Sequence, residues 1–157
     1  MSRLQLPMTS RLGPLYLVAS AEGLCGVHWD EQAVPFLKDH AETAAASHLM
    51  EAAEQIQAYL HGERKDFDVP LSLHGTAFQL AVWNELRRIP YGQTISYTEL
   101  ANRVKRPKAC RAVGSANGRN PLCVIVPCHR VIASNASLGG YSGGLERKSW
   151  LLQLEAP

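Results

Sequence analysis

Cys128 and His129 are adjacent, directly after the apolar run Val124, Ile125 and Val126 and the turn residue Pro127. A thiolate is a strong nucleophile, but a thiol with a pKa of about 8.5 needs a base or positive surroundings to form one at neutral pH. His129 is the candidate base, and Arg130 adds charge beside it. Neighbouring side chains in an extended segment point to opposite faces, so a bridging water is expected to link the pair. A histidine acting as base needs a partner on its other nitrogen, usually a carboxylate. Glu146 and Glu155 are the only acids after position 99. The bland alternative is a buried structural cysteine, the commonest fate of an unpaired one. A zinc site from Cys123, Cys128 and His129 fits poorly: the Cys-x4-Cys spacing is loose, two ligands would be adjacent, and no second pair follows. No metal is expected.

The elements that would carry these residues are legible in outline. Residues 11–30 read as a hairpin, with strands over 15–20 and 24–29 and a turn near Glu22 and Gly23. Residues 45–61 read as an amphipathic helix with Leu49, Ala53, Ile56 and Leu60 on one face, ended by Gly62. Phe67, Asp68 and Val69 alternate and suggest a strand, and 70–75 reads as a connector. Thr76 can cap a helix carrying Phe78, Val82, Leu86 and Ile89 on one side. Ser96 can cap a short helix over 97–104, Pro107 breaks the chain, and a second short helix follows over 108–116. Helix, short turn and helix with basic residues is the outline of a helix-turn-helix. The second helix is slim, with Ala109, Ala112, Gly114, Ser115 and Ala116. That slimness suits a close approach to a nucleic-acid backbone or a minor groove, or tight packing against a neighbouring helix. Residues 145–154 read as a last helix with Leu145, Trp150, Leu151 and Leu154 apolar.

Composition sets the frame. The chain has 157 residues, 46% of them hydrophobic, enough for a core and too many for a disordered chain. No apolar run approaches the roughly 20 residues of a membrane-spanning helix, and the start lacks the apolar stretch of a secretion signal. A cytoplasmic protein is expected, with Cys25, Cys110, Cys123 and Cys128 as thiols. Charge is uneven: residues 1–74 hold 5 Lys/Arg against 10 Asp/Glu, whereas 75–157 hold 11 against 4. Such asymmetry points to an anionic partner for the second part.

Nine segments carry a resemblance: 75–78 (Gly-Thr-Ala-Phe), 89–93 (Ile-Pro-Tyr-Gly-Gln), 96–97 (Ser-Tyr), 111–114 (Arg-Ala-Val-Gly), 116–118 (Ala-Asn-Gly), 120–121 (Asn-Pro), 126–131 (Val-Pro-Cys-His-Arg-Val), 140–144 (Gly-Tyr-Ser-Gly-Gly) and 148–152 (Lys-Ser-Trp-Leu-Leu). In order and spacing they resemble the O6-methylguanine-DNA methyltransferases, bacterial type. The resemblance implies an α+β fold: a small sheet-containing domain over 1–74, then a mostly helical alkyltransferase domain over 75–157 with the helix-turn-helix. It implies direct, stoichiometric and irreversible transfer of the alkyl group from O6-alkylguanine in DNA, with O4-alkylthymine a further candidate, to Cys128. His129 would deprotonate Cys128 through water, held by Glu155, with Asn120 as the hinge before the active-site segment. Tyr97 would clash with the phosphate of the target nucleotide and help rotate it out, and Arg111 would fill the vacancy. Ser96, Ala112, Gly114 and Ser115 would face DNA. Tyr97, Val131, Tyr141 and Ser142 would form the base pocket, and the carbonyls of Cys128 and Val131 would accept from the guanine amino group.

The resemblance further implies double-stranded DNA containing alkylated guanine as partner, no cofactor, no membrane and no obligate protein partner, hence a monomer. Some relatives carry zinc in the first domain; Cys25 and His28 do not make a full ligand set. Cys110 departs from the small apolar residue expected beside Arg111. Three competing functions remain distinct. A non-catalytic sensor of alkylated DNA would lack the acceptor cysteine. A transcriptional regulator would carry long base-reading side chains on its second helix. A cysteine hydrolase would turn over repeatedly.

Overall fold

The structure is a computed structural model and describes residues 2–39 and 42–157. The chain forms two compact units, one running up to His74 together with Pro121–Ile125, the other comprising Gly75–Asn120 and Val126–Pro157. The short segment Pro121–Ile125 therefore packs with the first unit, although it lies well inside the stretch expected to be the second domain.

In the first unit, strands β1 (Leu4–Ser10), β2 (Gly13–Ser20) and β3 (Gly23–His28) form an antiparallel sheet in that order, with helix α1 (Ala44–Leu60) against it. The expected hairpin is β2 and β3, with a register irregularity between Val18 and Ala19. Strand β1 lies outside the hairpin expected from the sequence and contains Pro7. It is tolerated because β1 is at the end of the strand order, where a missing N–H breaks no second ladder. Gln5 on β1 is fully buried and satisfied: its Nε2 donates to the carbonyls of Gln32 (2.6 Å) and Val34 (2.7 Å), and its Oε1 accepts from the Gln32 N–H (3.1 Å).

Helix α1 starts where Thr43 accepts from the Ala46 N–H (3.1 Å) and stops before Gly62, which takes φ 76°. It buries Leu49, Ala52, Ile56, Tyr59 and Leu60, so the face is turned slightly from the one expected, and Ala53 is only half-buried. Residues 67–69 do not form a strand. The Asp68 N–H donates instead to Gln55 Oε1 of α1 (3.0 Å), and the pairing in this region is a single bridge from Leu71 to Leu24. Gly23 is needed there, since a Cβ on it would lie 2.7 Å from the Pro70 carbonyl oxygen. Pro121–Ile125 joins the unit through the Val27 N–H, which donates to the Pro121 carbonyl (2.8 Å). Within it Val124 takes φ 74°, a strained conformation for a β-branched residue.

The second unit is built on helices α2 (Ala77–Leu86), α3 (Tyr97–Arg103), α4 (Cys110–Gly118) and α5 (Leu145–Glu155). Thr76 and Gln79 form a reciprocal capping box at the start of α2. Ile89 lies beyond α2 yet is buried at 1% exposure, so the helical spacing that includes it is continued by a turn. Ser96 caps α3 by accepting from the Glu99 N–H (3.0 Å). The turn between α3 and α4 passes through Lys105 at φ 61°, and the two helices pack as the helix-turn-helix. Trp83 of α2 donates its indole N–H to the Ala116 carbonyl of α4 (2.8 Å). Two short parallel strands, β4 (Ile95–Ser96) and β5 (Val131–Ile132), pair Ile95 with Val131 and Ser96 with Ile132. Among the described residues, no helix is long and apolar enough to cross a membrane.

Candidate active site

The apolar run ending at Val126 and Pro127 leads into a single 3-10 turn, Cys128–Arg130. The segment is thus not extended at Cys128 and His129, as the sequence suggested. The Cys128 N–H donates to the Val126 carbonyl (2.8 Å) and the Arg130 N–H to the Pro127 carbonyl (3.0 Å), and these bonds tighten the chain into the turn. Cys128 is 2% exposed and His129 fully buried. Among the described residues all four cysteines are thiols rather than disulfides. Asn120 is also buried, and its Nδ2 donates to the Val126 carbonyl (2.7 Å), bringing together the chain on either side of 121–125.

Glu155, at the end of α5, meets the turn. Its Oε2 lies 2.9 Å from His129 Nε2, and both carboxylate oxygens receive Arg130, from Nε at 2.8 Å and from Nη2 at 2.8 Å. The third Arg130 nitrogen donates to the Ile89 carbonyl (2.7 Å), and the guanidinium lies 5.7 Å from the Tyr91 ring centre. Arg130 therefore anchors the carboxylate by a two-pronged pair, where the sequence offered it only as charge near the thiol. A carboxylate can only accept, so His129 donates from Nε2 and leaves Nδ1 as the acceptor. That Nδ1 is buried and receives no hydrogen bond from the protein. Burial pushes the His129 pKa below its ordinary value, outweighing the pull of Glu155 in the other direction. The arrangement favours a neutral imidazole whose Nδ1 can accept a proton.

Two side chains escaped the sequence reading of roles. Lys148 on α5 is fully buried, and its ammonium donates to the carbonyls of Val131 (2.7 Å), Leu138 and Gly140 (3.0 Å). Burial lowers its pKa to about 8, while the nearby Cys128 pulls it upward. The available signal was its position seven residues before Glu155, which puts both on one helix face. Asn117 on α4 is 3% exposed, and its Nδ2 donates to the Cys128 carbonyl (3.4 Å).

The pairing of β4 with β5 sets Tyr97, the residue after β4, close to the turn that precedes β5. Its ring is 6.0 Å from the Lys148 ammonium, and a Cβ on Gly139 (φ 71°) would come within 3.0 Å of its hydroxyl. Burial raises the Tyr97 pKa. Val131 is buried, Tyr141 half-buried and Ser142 exposed. On α4, Arg111, Ala112 and Ser115 are exposed, Gly114 is half-buried where a Cβ would lie 3.8 Å from the Tyr97 ring, and Val113, Ala116 and Asn117 face inward. Ser96 uses its hydroxyl to cap α3.

The chain as a whole is similar to known proteins. Residues 7–73 match the family model of the 6-O-methylguanine DNA methyltransferase ribonuclease-like domain, and residues 77–157 that of the 6-O-methylguanine DNA methyltransferase DNA binding domain. A methylated-DNA--protein-cysteine methyltransferase of Methanosarcina acetivorans is 46% identical over 146 residues, spanning 93% of this chain and 94% of that protein. One from Mycobacterium leprae is 45% identical over 153 residues, spanning 94% and 89%. The crystal structure of Mycobacterium tuberculosis OGT in complex with DNA superposes with a TM-score of 0.82 at 41% identity, covering 100% of this chain and 96% of that one. With both units matched and the likeness running the length of the chain, the protein belongs to the 6-O-methylguanine DNA methyltransferase family.

Proposed function

We propose that this protein repairs DNA by moving the alkyl group of O6-alkylguanine onto Cys128. The observation that carries the reading is a buried thiol on the same tight turn as a neutral histidine whose outer nitrogen is fixed by the Glu155–Arg130 pair. His129 Nδ1 takes the thiol proton through a water. The sulfur attacks the alkyl carbon, the carbon–O6 bond breaks with its electron pair going to oxygen, and the departing guanine takes up a proton, balancing the one that His129 removed from the thiol. The product is a thioether, a bond that neither an imidazole nor water cleaves readily, so each molecule reacts once.

The partner is double-stranded DNA carrying an alkylated guanine, bound by a monomer in the cytoplasm. Exposed Arg111, Ala112 and Ser115, with Gly114 and the Ser96 corner, face the duplex. O6 inside a stacked duplex cannot reach the sulfur of a buried residue such as Cys128, so the nucleotide rotates out, with Tyr97 at its phosphate and Arg111 in the vacancy. Tyr97, Val131, Tyr141 and Ser142 line the base. Residues 75–157 form the alkyltransferase domain. Asn120, tied to Val126, is the hinge between the DNA-facing helix and the turn.

Intact-mass spectrometry after mixing with a duplex holding one O6-methylguanine tests this. The expected result is one added methyl, mapped to Cys128, ending at one equivalent and absent in Cys128→Ser. Tight lesion binding with no added mass would overturn transfer in favour of a sensor.

A further inference from the structure

Asn117 joins the DNA-facing helix to the reactive turn. Its neighbours on α4 with exposed side chains belong to the DNA face, whereas Asn117 points inward and is 3% exposed. The preceding carbonyl, that of Ala116, is held by the Trp83 indole (2.8 Å), which fixes the helix where Asn117 leaves it. One amide N–H faces the Cys128 carbonyl (3.4 Å), and the side chain also meets the Tyr97 hydroxyl. A carbonyl accepts only from a donor, so this contact sets which end of the amide is nitrogen. The other end, Oδ1, is buried and receives no hydrogen bond from the protein. A buried acceptor without a donor is costly, and such a group in a native site calls for a donor supplied by a ligand.

The alkylated base can supply it. O6-alkylguanine has lost its N1 proton, so the exocyclic amine is the donor left on its Watson–Crick edge. O4-alkylthymine has no donor there. We propose that Asn117 is a specificity-determining residue, its Oδ1 accepting from the exocyclic amine of the rotated guanine while its Nδ2 holds the Cys128 carbonyl. This inference rests on the alkyl-transfer reading above. It adds a side-chain acceptor from α4 to the backbone carbonyls of the active-site segment. The Val131 carbonyl already receives Lys148, which leaves it one lone pair for the base, and the Cys128 carbonyl already receives both Asn117 and the Val131 N–H, so a side-chain acceptor meets a need that the backbone alone does not.

The test compares single-turnover methyl transfer from duplexes containing O6-methylguanine and O6-methylhypoxanthine, which lacks only the amine. The unaltered protein should favour the guanine lesion. Asn117→Leu, which keeps the bulk and removes the acceptor, should shrink that preference by about tenfold, the worth of one buried hydrogen bond. Asn117→Asp keeps an acceptor while losing, like Leu, the donor to the Cys128 carbonyl, so it should retain the preference even if both variants are slowed, which separates the lost acceptor from the lost donor and from misfolding. An unchanged ratio in Asn117→Leu, or equal loss in both variants, overturns the inference while transfer itself stands. Failure of the unaltered protein to transfer methyl from either duplex overturns the underlying reading instead.

Discussion

Arg130 and Lys148 are two buried cations with different tasks around one turn. Arg130 is consumed by Glu155 and thereby orients His129, while Lys148 gathers three carbonyls from 131–140 and stands near Cys128. Lys148→Met keeps the stem and deletes the ammonium, leaving three carbonyls short of a donor. The expected loss is about 3 kcal/mol or more, read from the denaturant midpoint, since each unmet buried acceptor costs about 1–3 kcal/mol. A midpoint shift under a third of that would show that the carbonyls find other partners. pH acts through the same groups. The His129 pKa is lowered on folding, so its contribution to stability is present above its ordinary 6.5 and is lost as pH falls through the folded value. Lys148 is also lowered, from 10.5 to about 8, so stability from this group rises with pH between those values. The transfer rate should fall as His129 takes up a proton, with an inflection below 6.5 that is missing in His129→Gln. An inflection at or above 6.5 in the unaltered protein would contradict a desolvated imidazole base.

Among the elements, α4 is the one whose placement matters most for the proposed site. It has no side-chain cap at its N-terminus, and Val113, Ala116 and Asn117 are the residues it buries. It is seated by packing against α2 and α3, and α2 adds a directed bond from the buried Trp83 indole to the Ala116 carbonyl. Trp83→Phe keeps most of the ring and removes the N–H. It should cost about 1 kcal/mol of stability, because Ala116 retains the Arg119 N–H as a second donor. Thermal unfolding measures this, and no change in midpoint would mean that ring packing alone seats the helix. The short β4–β5 pair is the second device, since two residues of parallel ladder bring Tyr97 beside a turn more than thirty positions away in the chain.

At the scale of the molecule, charge is segregated. Lys105, Arg106, Lys108, Arg111 and Arg119 are exposed along the helix-turn-helix, while Arg103 is paired with Glu99 (2.6 Å). If these five meet phosphates, the logarithm of DNA affinity should fall against the logarithm of salt with a slope of about −4.5. A slope near zero would remove the electrostatic basis for DNA binding. The sequence by itself determined the family, the thiol with its histidine, and the capped helices. These rest on local signals: apolar periodicity, Thr76 and Ser96 as caps, and motifs whose residues are close in the chain. It also narrowed the carboxylate to two candidates by simple scarcity of acids. Only the tertiary structure decided that Arg130 binds Glu155 rather than the thiol, that Lys148 is buried, and that Asn117 turns inward to Cys128. It likewise revealed β1 despite Pro7 and joined 121–125 to the first unit. The reason is physical: whether a polar side chain meets water, a carboxylate or a carbonyl depends on which distant segment lies across from it, and no local pattern records that.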